Sequence, residues 1–167
     1  MVTEHLPDVD KAALGEQAYQ KAFYYEMNFG CCPQCVLAAV KETVREDIIS
    51  DCTIKASHGL SGGGALCGEG VCGALSGGLM ALGAKRGRDA DKLHRGRGMA
   101  NFHAGKELIE RFRHEFGGLT CRELQVKFAG RTYDMWDKDE YAAFGKERGD
   151  RCAQASAQVA RWVVEML

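Results

Sequence analysis

Residues 62–83, with the sequence GGGALCGEGVCGALSGGLMALG, combine two cysteines with nine glycines and lead into an apolar segment. Glycine is the most costly ordinary residue to order and, after proline, the poorest helix former. We nevertheless predict a helix that begins near Cys72 and ends within residues 83–87. In such a helix Gly73 and Gly77 lie one turn apart on one face, so a second helix can approach closely. The glycines therefore predict close packing around Cys72.

The rest of the chain is also predicted to be helical. Pro33 suits the first turn of a helix, and Thr120 with Glu123 forms a capping box. No run of alternating β-branched residues indicates a strand. The sequence therefore predicts an all-α fold, with residues 1–167 forming a single helical domain. About six helices are expected, over residues 10–27, 32–47, 72–83 and 99–116, then one from Thr120 and one from Asp150.

Charge and hydropathy exclude several classes of protein. The chain has 167 residues and a formal net charge of −1, with its basic residues scattered, so no nucleic-acid partner is expected. The first twenty residues lack the basic start and apolar stretch of a signal peptide. The longest apolar run, over residues 71–84, is too short and too rich in glycine to cross a bilayer. We predict a cytoplasmic protein without membrane insertion.

The eight cysteines point to redox or metal chemistry, because disulfides are rare in a reducing compartment. Four of them fall in the first turn of a predicted helix. A helix start presents free N–H groups and partial positive charge, which favour the thiolate that binds metal. If the four converge, they suit an iron–sulfur cluster. The predicted ligands, at one shared metal and cofactor site, are Cys32, Cys72, Cys121 and Cys152.

Other interpretations of the same residues stay open. Cys32 and Cys35 form a CxxC motif at a helix start, which would suit a thiol–disulfide oxidoreductase, although the usual βαβ surroundings are missing. A third possibility is an interaction domain without metal. Residues 68–73 fit the glycine pattern of dinucleotide sites, but no buried strand precedes them. Residues 67–72 space their two cysteines poorly for a structural zinc site.

The chain resembles the C_GCAxxG_C_C family of redox-active proteins. The matching segments are CCPQCVLAAV around Cys32, GGGALCGEGVCGALSGGLMALG around Cys72, FGGLTCREL around Cys121 and GDRCAQASAQVARWVVEML around Cys152. The resemblance implies a helical fold and a redox role, and similar domains occur in split-Soret cytochromes c, which also carry an iron–sulfur centre. It implies no particular reaction. Three thiols depart from the family pattern, namely Cys31, Cys35 and Cys67.

Together these features predict a redox protein that transfers electrons or senses redox state through a cysteine-bound iron–sulfur cluster. A redox partner protein is expected. The small residues of the helix after Cys72 could also serve a homodimer contact. Cys52 has no partner in this scheme and is expected to be structural.

Overall fold

The computed structural model describes residues 8–44 and 46–167, and in these ranges the chain is all-α. The only pairing of strand type there is an isolated bridge between Val71 and Thr120. None of the described helices is both long and apolar enough to span a membrane. The helices are α1 (Asp8–Asn28), α2 (Cys32–Thr43), α3 (Asp51–Ala56), α4 (Gly73–Arg86), α5 (Met99–Phe116), α6 (Cys121–Ala129), α7 (Lys138–Arg148) and α8 (Arg151–Met166), with 3-10 turns at Ser57–Leu60 and Ala90–Lys92.

The described ranges hold eight α-helices, two more than the sequence predicted. The missed helices are α3, which has only six residues, and α7, which buries a single side chain, Phe144, and so lacks an apolar face. A capping residue was the available signal for α7, because the Asp137 carboxylate accepts hydrogen bonds from two backbone N–H groups of its first turn. Helix α2 ends at Thr43 instead of residue 47, since Val44 is already extended.

Helices α1, α2, α4 and α8 pack closely together and position the site. Helix α1 packs along α8, and α2 packs against α4 and both of those helices. Alanines make these close contacts possible, because a methyl side chain allows two helix axes to approach. The alanines Ala18 and Ala22 on α1, with Ala153, Ala157 and Ala160 on α8, have no exposed surface.

Glycines let α4 pack directly on the backbone of α2. A Cβ atom on Gly77 would lie 2.8 Å from both the Cα and the carbonyl oxygen of Pro33. A Cβ atom on Gly73 would lie 3.2 Å from the Cβ of Cys32. The close approach predicted for this face is therefore confirmed, and α2 is the helix that uses it. Gly73 and Gly77 therefore contact α2, and the homodimer contact of this helix stays a prediction.

The Thr120→Ala variant is expected to lose about 1 kcal/mol of stability, the usual cost of removing a helix cap. The Thr120 hydroxyl accepts a hydrogen bond from the Glu123 N–H at 3.2 Å, and the Glu123 carboxylate accepts one from the Thr120 N–H at 2.8 Å. Urea unfolding measures the difference. Asp150→Ala is the control, because Asp150 precedes α8 as predicted but its side chain makes no capping bond. Equal losses in both variants would contradict this account of the capping box.

Candidate functional site

The four cysteines at helix starts lie close together in the structure. Cys32 and Cys121 are the first residues of α2 and α6, Cys72 immediately precedes α4, and Cys152 is the second residue of α8. In each of their six pairings, a negative charge on one thiol raises the pKa of the other. The fold thus brings thiols from four separated segments to one place.

A glycine-rich loop joins two of these helix starts. The Cys72 N–H donates to the Leu119 carbonyl at 2.7 Å, and the Cys121 N–H donates to the Gly70 carbonyl at 3.0 Å. Gly63 lies inside the loop with a φ of +76°, and a Cβ atom there would lie 2.9 Å from the Cβ of Cys121. A side chain at this position would therefore be both strained and in collision. The glycines of the loop hold Cys72 and Cys121 side by side.

The thiols border a small cavity of about 80 Å³. Four cysteines line it, namely Cys31, Cys32, Cys121 and Cys152, whereas Cys72 is buried in the core. Apolar side chains also line the cavity, among them Leu66, Met135 and Phe144. Two charged side chains also reach the cavity, Glu26 and Arg148.

Glu26 is a buried carboxylate beside the thiols. Only 5% of it is exposed, and it accepts hydrogen bonds from the Cys32 thiol and the Ser156 hydroxyl, both at 3.4 Å. Burial raises the pKa of Glu26, and hydrogen bonds from Cys32 and Cys35 oppose this shift. The sequence analysis missed Glu26. The available signal was its spacing, because it follows the buried Ala18 and Ala22 at successive four-residue steps.

Arg148 brings a positive charge to the same cavity. It is the last residue of α7, and its guanidinium carbon lies 5.6 Å from the centre of the Phe144 ring, one turn earlier. Its Nη1 atom is buried and finds no hydrogen-bond partner among the described residues. The sequence analysis missed Arg148 because α7 itself was not predicted.

Burial keeps the thiols protonated when no metal is bound. It raises the pKa of Cys32 and Cys72 well above the ordinary value, and it raises the pKa of Cys152 to about 12. The pKa of Cys121 is also raised by burial, although Gln125 and Arg148 lower it in part. In the chain without metal, the loss of hydration raises these pKa values by more than the helix starts lower them, so the predicted thiolates are expected only with a metal group bound.

Within the described ranges, no group of three or more His, Cys, Asp or Glu side chains is placed to hold a metal ion. The site is therefore not preassembled for a single ion, whose four ligands would all have to lie within about 2.3 Å of one atom. The chemistry of the donors does suit an iron–sulfur cluster, because four cysteine sulfurs are its usual ligands. The buried Nη1 of Arg148 without a partner also suits an anionic group.

The other four cysteines have different surroundings. The Cys35 thiol donates to the Gly30 carbonyl at 2.9 Å, and burial raises its pKa. Cys31 is half-buried and has a φ of +67°. Cys52 and Cys67 are exposed, so Cys52 has no structural role in the core. All eight thiols are free.

The fold and the site define a helical, cysteine-rich protein whose thiols lie close together beside a carboxylate and a guanidinium. The sequence profile of one family matches residues 30–166, nearly the whole chain. The description of that family is "Putative redox-active protein (C_GCAxxG_C_C)". The chain belongs to the C_GCAxxG_C_C family, and this supports a redox role. Comparison with curated proteins found no match, and neither did comparison with solved structures.

Proposed function

We propose that the protein is a redox protein that holds an iron–sulfur cluster through four cysteines and acts in electron transfer or redox sensing. The observation that carries the proposal is that four helix-start thiols lie close together, three of them on the wall of one cavity. The ligands would be Cys32, Cys72, Cys121 and Cys152. When bound, the cluster would supply one-electron redox chemistry, with a potential that depends on charge, hydrogen bonds and exposure.

The chain's own residues have definite roles in this proposal. The four thiols bind as thiolates, and the partial positive charge of their helix starts favours the negative charge. Leu66, Met135 and Phe144 supply an apolar part of the cavity wall. Because surroundings of low polarity strengthen electrostatic interactions, the nearby charged side chains act on the bound group.

Thiol–disulfide exchange through Cys32 and Cys35 is the less favoured function. Exchange needs an accessible thiolate, whereas burial raises the pKa of both thiols and Glu26 raises it further. Three thiols from other parts of the chain also lie close enough to Cys32 for their negative charge to raise its pKa beyond the effect of burial. These contacts favour a role for Cys32 as one of four ligands.

A redox partner protein and a cytoplasmic location belong to the same proposal. A redox protein of this kind must exchange electrons with a second protein or small molecule. The eight free cysteines suit a reducing compartment.

The proposal is tested by comparing Cys72→Ser with Cys52→Ser. Each protein is purified without oxygen, and iron and acid-labile sulfide are measured per chain, together with the visible spectrum. Cys72→Ser is expected to lose most of its iron and sulfide, because a buried ligand is removed. Cys52→Ser should keep the wild-type content, because Cys52 is exposed and lies outside the cavity. Equal iron in the two variants would reject the ligand assignment, provided that circular dichroism shows both to be folded.

A further inference from the structure

We propose that Arg148 donates a hydrogen bond to the inorganic group held by the four thiolates and thereby raises the reduction potential of that group. The inference rests on the proposed function and deepens it. Its starting point is a guanidinium nitrogen, Nη1, that is buried at the cavity without a hydrogen-bond partner among the described residues.

Arg148 is distinguished by a guanidinium nitrogen that is buried and has no hydrogen-bond partner among the described residues. By contrast, Arg122 and Arg131 are exposed and pair with Glu69 and Glu140. Glu26 borders the same cavity as Arg148, but the two form no ion pair. A buried charged donor without a partner is costly, so its presence at this place points to an anionic partner that completes the site.

The local packing directs Arg148 toward the thiols. It ends α7, and its guanidinium lies over the ring of Phe144, which is itself only 5% exposed. From there its charge reaches the two thiols of α6 and α8, because it lowers the pKa of both Cys121 and Cys152. The guanidinium therefore lies beside half of the proposed ligand set.

The direction of the effect on the potential follows from electrostatics. An iron–sulfur cluster with four thiolate ligands is an anion, and reduction adds one more negative charge. A nearby cation with N–H donors stabilises the reduced form more than the oxidised form, and low polarity strengthens this difference. Removing the guanidinium charge should therefore lower the reduction potential.

The experiment compares Arg148→Gln and Arg148→Lys with a control, Lys146→Gln. Lys146 is exposed on the same helix, so its substitution removes the same charge outside the cavity. Iron and sulfide are first measured in the wild type and in each variant. The midpoint potential of each loaded protein is then measured by spectroelectrochemical titration. The potential is expected to fall in Arg148→Gln, to fall less in Arg148→Lys, and to stay at the wild-type value in Lys146→Gln.

The outcomes separate this inference from the proposed function. Wild-type protein without iron and sulfide would overturn both. If Arg148→Gln and Lys146→Gln both hold a full cluster and have the same midpoint potential, the role of Arg148 is overturned. The proposed function is not affected by that result. If Arg148→Gln does not fold, Arg148→Lys decides, because lysine keeps the charge but loses the forked donor. An unchanged potential in Arg148→Lys would then contradict a hydrogen bond from the guanidinium.

Discussion

Gly77→Ala is expected to destabilise the protein by about 1–3 kcal/mol, the usual cost of overpacking a core. In an open helix the same substitution would stabilise, because alanine is the better helix former by about 1 kcal/mol. Here the added methyl would lie 2.8 Å from the Pro33 Cα and carbonyl oxygen. These are backbone atoms, which cannot rotate away as a side chain can. The helices α2 and α4 would have to separate, and Cys32 and Cys72 would move apart with them.

Gly83→Ala provides the matched control on the same helix. A Cβ atom there would meet only the Asn101 amide nitrogen, at 3.9 Å, which is ordinary van der Waals contact. This variant is therefore expected to be as stable as the wild type, or more stable by up to about 1 kcal/mol. Urea unfolding of both variants measures the contrast. A Gly77→Ala protein as stable as Gly83→Ala would show that α2 and α4 do not need glycine between them.

The sequence predicted the features that local patterns encode. The all-α class followed from helical periodicity, and α5 has the predicted bounds, Met99–Phe116. The capping box at Thr120 is present as predicted. The glycines at positions 73 and 77 indicated a close helix contact, although nothing local identified α2 as the partner. Helix caps and glycine spacing can be predicted from the sequence because they depend on residues within one or two turns of each other.

The charged groups of the site could not be predicted because they depend on contacts between distant segments. Arg148 reaches the cavity from a helix with no apolar stripe. Glu26 accepts a hydrogen bond from the hydroxyl of Ser156, which lies 130 residues further along the chain. The protonation of the thiols likewise depends on burial, which only the assembled fold determines. Sequence position indicated that Cys32, Cys72, Cys121 and Cys152 begin helices, but not what surrounds them.

The metal-free protein is expected to lose stability steeply above about pH 9. The pKa of Cys152 is about 12 in the folded chain, against an ordinary value of 9.0 for the unfolded chain. Between these values the unfolded state has lost a proton that the folded state keeps, so the free energy of unfolding falls as pH rises. One thiol contributes about 1.4 kcal/mol per pH unit. Burial raises the pKa of Cys32 and Cys72 as well, so their contributions have the same sign.

Urea unfolding between pH 8 and 11, with a reductant and a chelator present, measures this loss. Lysines and tyrosines also titrate in this range, but they are common to all variants and cancel when slopes are compared. Cys152→Ala removes one raised pKa, so its stability should fall less steeply, by about 1.4 kcal/mol per pH unit. Cys52→Ala removes an exposed thiol and should keep the wild-type slope. Identical slopes in all three proteins would mean that Cys152 titrates as an ordinary thiol. Such a result would place it in contact with water, because burial is the main cause that raises its pKa.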